Sequence, residues 1–259
     1  MELNKIYNEN CLDTMARMPD NFVDLVVTSP PYDNLRDYKG YSFDFESIAK
    51  ELYRIIATGG VVVWVVGDAV LEGEESGTSF RQALYFKERG FRLHDTMIYQ
   101  KNSYPFPPSN RYFGVFEYMF VFSKDTPKTT NLIKVPTIGQ KHKSSTQREA
   151  DGSISVMKYE MGKEERVKDN IWKYDVGFAK STNDKIAFEH PATFPEKLVQ
   201  DHIYSWSNEN DLVYDPFMGS GTTAKMAKFL KRNYIGSEIS EDYCKIAQER
   251  LDKTTPPML

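Results

Sequence analysis

With 259 residues, 40% of them hydrophobic and 27% charged, the chain is long enough to bury the core of one α/β domain with an elaboration. Its net charge of −4 excludes a globally basic nucleic-acid binder, so any basic footprint is local. The two cysteines (Cys11, Cys244) and four histidines, without C-x-x-C or H-x-x-x-H spacing, argue against a disulfide framework and a metal site; the polar start MELNKIYNEN and the lack of a ~20-residue apolar run predict a cytoplasmic protein with no membrane partner.

Short apolar runs alternate with helical patterns, the signature of a mostly parallel sheet. KIYN reads as a short strand and FVDLVVT (22–28) as a clear one. The latter runs into T-S-P-P-Y, where two prolines make a stiff, non-helical corner. Apolar residues from Asp44 to Ile56 recur at helical spacing, and TGG is expected to stop that helix. VVVWVVGD (61–68) is continuously apolar, as a strand buried on both faces should be. A helix over 79–89 and strands in HDTMIYQK and VFEYMFVFSK follow. Residues 125–187 are polar and aperiodic and are expected to form a small insertion. Residues 124–185 carry thirteen Lys and Arg against nine Asp and Glu, which suits an exposed loop region and a nucleic-acid contact equally. After Pro195 the pattern resumes as helix, the strand DLVYD, the helix TTAKMAKFLK, the strand NYIGSE and a last helix with Ser240 at its N-cap. The expectation is seven strands in one sheet, formed by residues 1–124 and 188–259.

LVYDPFMGSGTTA (212–224) places a glycine turn between a strand and a helix. Gly219 and Gly221 allow positive φ and close backbone approach, and a helix N-terminus offers unpaired N–H groups. A phosphate-binding P-loop is excluded, because no lysine follows Gly221. The pattern G-x-G-x-x-A is met by Gly219, Gly221 and Ala224, and a tight turn without ligand also satisfies it. Glu238, at the end of the next strand, can accept both hydroxyls of a ribose.

DPFMGSGTT together with TSPPY, in the order S-P-P-Y, polar region, glycine turn, resembles the S-adenosylmethionine-dependent amino-group DNA methyltransferases, in their circularly permuted β group. HPATFPEKL resembles the family's N-terminal cofactor-side motif. The likeness covers roughly residues 3–123 and 188–252. It implies a seven-stranded, methyltransferase-type Rossmann-like sheet. It also implies S-adenosylmethionine near Asp215, Phe217, Gly219, Ser220, Gly221 and Thr222, with Glu238 on the ribose and Thr28 and Phe194 close by. Asn10 and Cys11 would lie at the adenine. Family members often have Asp at the position of Asn10, whose side-chain oxygen can still accept from the adenine amine.

The exocyclic amine of a base is a poor nucleophile, because its lone pair is delocalised into the ring. The resemblance gives Ser29 Oγ and the Pro30 carbonyl as acceptors for its hydrogens. Pro31 would stiffen the corner, and Tyr32 would stack on a base extracted from the duplex. Ser at the first position of this block goes with cytosine N4 more often than adenine N6, so cytosine N4 is the expected target and adenine N6 the alternative. A nicotinamide-dependent oxidoreductase has no use for T-S-P-P-Y, and a non-catalytic DNA-binding module has none for the intact site. The insertion would contact double-stranded DNA, with Lys141, Lys143 and Arg148 at phosphates. A homodimer and a companion restriction endonuclease are further partners the resemblance allows.

Overall fold

In the computed structural model, which describes residues 1–31, 43–102, 106–107, 110–137, 144–158, 164–177, 180–190 and 193–256, the apolar runs assemble into one eight-stranded sheet. Its strands are β1 (Lys5–Tyr7), β2 (Val23–Thr28), β3 (Ile56–Val66), β4 (Arg92–Lys101), β5 (Phe116–Ser123), β6 (Ile171–Tyr174), β7 (Leu212–Asp215) and β8 (Asn233–Ser237). Their order across the sheet is β1-β8-β7-β2-β3-β5-β4-β6. From β1 to β3 neighbours are parallel, β5 is antiparallel to both β3 and β4, and β6 is parallel to β4. The helices are α1 (Cys11–Ala16), α2 (Phe45–Ile55), α3 (Thr78–Glu88), α4 (Glu196–Trp206), α5 (Thr222–Phe229) and α6 (Glu241–Asp252).

Two boundaries differ from the sequence expectation. The sheet has an eighth strand, β6, inside the segment read as insertion. Its Trp172 and Tyr174 are buried while Ile171 and Lys173 are exposed, a four-residue alternation too short to stand out in polar surroundings. Tyr174 donates to Asp201 of α4 at 2.8 Å, which ties this edge strand down. In addition, Thr58-Gly59-Gly60 does not cap a helix but lies within β3. A Cβ on Gly60 would stand 2.9 Å from the Asp24 carbonyl oxygen, so glycine lets the neighbouring backbone approach.

The centre of the sheet is the driest part. Gly59 through Val66 are all buried, as parallel strands covered on both faces require. On one face Val62, Trp64 and Val66 pack with Ile48 and Leu52 of α2 and Phe86 of α3. The Trp64 indole N–H donates to Gln82 at 2.8 Å, satisfying the polar atom of the largest core side chain.

Residues Met1–Asn131 and Asn170–Leu259 make one compact unit and Leu132–Asp169 a second. The second unit is narrower than the 125–187 expected for the insertion. It is built of two antiparallel pairs, Lys134–Pro136 with Glu165–Val167 and Ser144–Arg148 with Ile154–Lys158. Among the described residues no helix is long and apolar enough to cross a membrane.

The end of α6 is anchored from inside. Arg250 is 1% exposed, and its guanidinium donates to Asp184 (2.9 Å), Glu196 (2.7 Å), the Ser220 carbonyl (2.5 Å) and Thr222 Oγ1 (3.1 Å). Lys225 binds the same two carboxylates at 2.8 and 2.6 Å. Removing Arg250 would strip donors from a buried backbone carbonyl and from two carboxylates. Those carboxylates keep Lys225 and some solvent, so Arg250→Met should destabilise by about 2–3 kcal/mol, below the value for a fully buried pair. Urea denaturation measures it, and a loss under about 1 kcal/mol would contradict the anchoring role.

Candidate active site

The sheet order reverses between β2 and β7, and in open α/β sheets the crevice at such a switch point is where ligands bind. The prolines act at that point. Thr28 still pairs with Trp64, and Pro30 and Pro31, lacking N–H groups, end the ladder there. Ser29 and Pro31 are left half-buried and Pro30 buried, and all three line a cavity of about 930 Å³ over the carboxyl ends of the strands. Tyr32 lies outside the described residues.

The glycine turn forms the opposite side of the crevice. Asp215 ends β7, is 3% exposed, and accepts from Thr28 Oγ1 (2.6 Å), Thr223 Oγ1 (2.7 Å) and the Phe217 N–H (3.0 Å). Burial pushes its carboxyl above the usual carboxylate range, and these three bonds pull it back only in part. Glu238, just past β8, accepts the N–H of Gly219 at 2.8 Å on one oxygen and that of Ser240 at 2.8 Å on the other. Burial raises its pKa as well, against the pull of these backbone bonds. The carboxylate is thus fixed at the cavity wall before any ligand arrives.

The two glycines divide the work. Gly219 has φ +51° and lines the cavity, where an added Cβ would stand 3.0 Å from His190 Nε2. Gly221 has φ +82° and does not line it; an added Cβ would come within 2.6 Å of Ala247 Cβ in α6. Its task is helix packing.

Of the other residues picked from the sequence, Cys11, Phe194, Phe217, Ser220 and Thr222 line the cavity. Thr28 stands behind it, as a donor to Asp215. Asn10 does not line it: its side-chain oxygen accepts the Leu12 N–H at 2.9 Å and caps α1, while the adjacent Glu9 faces the cavity. Arg148 is exposed at the end of a hairpin strand in the second unit, and Lys141 and Lys143 fall outside the described residues.

Sequence reasoning missed part of the lining. His190 and Tyr243 both face the cavity with ring centroids 4.4 Å apart, and Ile239 follows Glu238. His190 belongs to the HPATFPEKL block and was within reach; Tyr243 sits in the last helix without a local signal. On the far wall stand Tyr99 and Lys101 of β4 and Glu117 of β5, in strands that read only as core. The cavity therefore joins a corner of hydrogen-bond acceptors to a glycine turn with a fixed carboxylate.

A family model described as DNA methylase matches residues 23–249. The chain is 60% identical over 237 residues to the orphan methyltransferase M.BamHII of Bacillus amyloliquefaciens, covering 90% of this chain and 89% of that protein. It is 29% identical over 257 residues to the type II methyltransferase M.BglII of Bacillus subtilis, covering 96% and 69% respectively. Among solved structures, the cytosine-N4-specific PvuII DNA methyltransferase aligns with a TM-score of 0.69 at 22% identity, over 95% of this chain and 85% of that one. M1.HpyAVI in its complex with SAM aligns with a TM-score of 0.62 at 23% identity, over 96% and 98%. At these identities the two structures share the fold.

The raised pKa of Asp215 gives a pH signature. In the unfolded chain the carboxyl ionises near its ordinary value, whereas the native state holds the proton to higher pH. Its contribution to stability is therefore complete below the unfolded pKa and is lost as pH rises through the native one. As pH rises from about 4, the unfolded value, through the raised native one, the melting temperature of Asp215→Asn should rise relative to that of the parent protein. Parallel curves for the two proteins would contradict this.

Proposed function

The chain belongs to the N6/N4 DNA methylase family, and on that premise we propose that it methylates the exocyclic N4 amine of cytosine in duplex DNA. It is a DNA methyltransferase of the amino-group class, and S-adenosylmethionine is its methyl donor. When bound, this cofactor supplies an electrophilic methyl group on a sulfonium.

The observation that carries the reading is that one continuous cavity holds both the Ser29–Pro31 corner and the Asp215–Glu238 turn. The residues present suit the cofactor. Glu238 offers a preset acceptor for ribose hydroxyls, and Gly219 leaves room where a side chain would crowd His190. Phe194 and Ile239 supply apolar surface for the adenine, and Asp215, itself part of the cavity lining, holds the turn in place. On the other side Ser29 Oγ and the Pro30 carbonyl accept the two amine hydrogens, which localises the nitrogen lone pair. The Pro30-Pro31 pair keeps that carbonyl from moving, and positioning of this kind is catalysis without a covalent intermediate. The target base reaches such a cavity only after leaving the duplex, and Tyr32 is the stacking face we assign to it. Serine at the head of S-P-P-Y supports cytosine over adenine. We assign residues 132–169 to target recognition, with exposed Arg148 at a phosphate.

Incubation of the purified protein with labelled S-adenosylmethionine and duplex DNA, followed by nucleoside analysis, should yield N4-methylcytosine. Label on adenine N6 alone would transfer the reading to adenine, and no label in any DNA would overturn it. Ser29→Ala should lose roughly 10²-fold or more in kcat while cofactor affinity stays unchanged. Glu238→Gln should weaken cofactor binding roughly 10- to 100-fold. Ribose hydroxyls donate to the ionised carboxylate, so protonation competes with binding. Cofactor affinity should fall as pH drops through the raised pKa of Glu238, and Glu238→Gln should flatten that dependence. Titration calorimetry across pH checks both.

A further inference from the structure

Lys101 donates to Glu117 at 2.9 Å across the β4–β5 pair, with the two side chains 23% and 17% exposed. Among the described residues it is the one Lys or Arg lining the cavity that holds Ser29, Pro30 and Pro31. Beside it Tyr99, 3% exposed, also lines the cavity, and its hydroxyl has no hydrogen-bond partner among the described residues. The hydroxyl oxygen itself is closed off from the cavity, so Tyr99 contributes its ring to the wall.

The ladder locates this wall. Tyr99 pairs with Glu117, and a Cβ on Gly67, just past β3, would stand 3.4 Å from Glu117 Cγ. Glu117 thus sits over the end of β3, and β5 lies two strands from β2 in the order β2-β3-β5-β4. Lys101 starts from β4, a third spacing away, but its side chain reaches back to Glu117, whose strand stands two spacings, roughly 10 Å, from β2.

We propose that Lys101, held by Glu117 and bordered by Tyr99, forms the far wall of the base site and donates a hydrogen bond to the ring nitrogen next to the target amine. The proposal rests on the amino-methyltransfer reading above. In the duplex that ring nitrogen accepts a Watson–Crick hydrogen bond, and extrusion removes its donor. A donor in the cavity wall restores it and orients the ring, so that the amine faces Ser29 and Pro30. Cytosine N3 and adenine N1 share this acceptor, so the contact serves the reaction without choosing between them. Pairing with Glu117 neutralises the wall, which then does not repel a sulfonium.

The test uses the full chain and a duplex containing its own site, located by sequencing modified DNA from cells that express it. The target base is replaced by its analogue with carbon at that ring position, 3-deazacytosine or 1-deazaadenine. The parent enzyme should lose roughly 10- to 100-fold in kcat/KM on the analogue, and Lys101→Met should lose a similar factor on the natural base. Combining variant and analogue should add less than about threefold, because both remove one contact. Tyr99→Phe should lose less than Lys101→Met, and cofactor affinity should be unchanged in both. Multiplied losses, or a Lys101→Met enzyme at parent activity, would overturn the proposal. If Lys101→Met fails to bind cofactor, the parent enzyme decides: full activity on the analogue overturns the contact. Failure of the parent to methylate either natural base would strike instead at the functional reading.

Discussion

The site depends on one buried carboxylate. Asp215 takes a hydroxyl from β2, a hydroxyl from α5 and an N–H from its own turn, and so holds together elements 187 residues apart in the chain. An ionisable group buried this deeply is unfavourable by itself, as its raised pKa records. Its three donors make it tolerable, and they also fix where the glycine turn stands relative to the strand that leads into Ser29. Thr223 Oγ1 also lies 3.2 Å from the Val27 carbonyl, so its one proton is shared between strand and turn, with Asp215 the nearer acceptor.

Around that knot each part of the crevice is held from behind. Arg250 grips the Ser220 carbonyl, and the absence of a side chain at Gly221 lets α6 close against α5. Glu238 closes the turn through Gly219 and Ser240 while keeping its carboxylate at the cavity wall. Such preset groups need little reorganisation when a ligand binds, which is how positioning contributes to catalysis without a reactive side chain.

Legibility in the sequence followed the range of the interaction. The proline corner, the glycine turn and the acidic residue after β8 are local devices, in which a few adjacent residues dictate backbone geometry, and they could be read directly. Asn10 caps α1, a role that depends on where the helix begins, and its oxygen serves the Leu12 N–H. The hydroxyl of Thr28, next to the proline corner in sequence, donates to Asp215 at the end of β7, a pairing no local pattern announces. Strand β6 was missed because its alternation covers only four residues and its partners, β4 and Asp201, are distant in the chain.

The sequence by itself determined the alternating strand–helix order, the buried central strands, and the two motifs whose spacing and order identify the family, since each rests on period, turn chemistry or adjacent residues. Only the tertiary structure decided which residues meet in the cavity. It placed Tyr99, Lys101 and Glu117 across from Ser29, turned Asn10 away, gave Gly221 to helix packing, and confined the second unit to Leu132–Asp169. The physical reason is that strand order and helix packing join residues over long chain separations, and no local pattern records which distant side chains will face one another across a sheet edge.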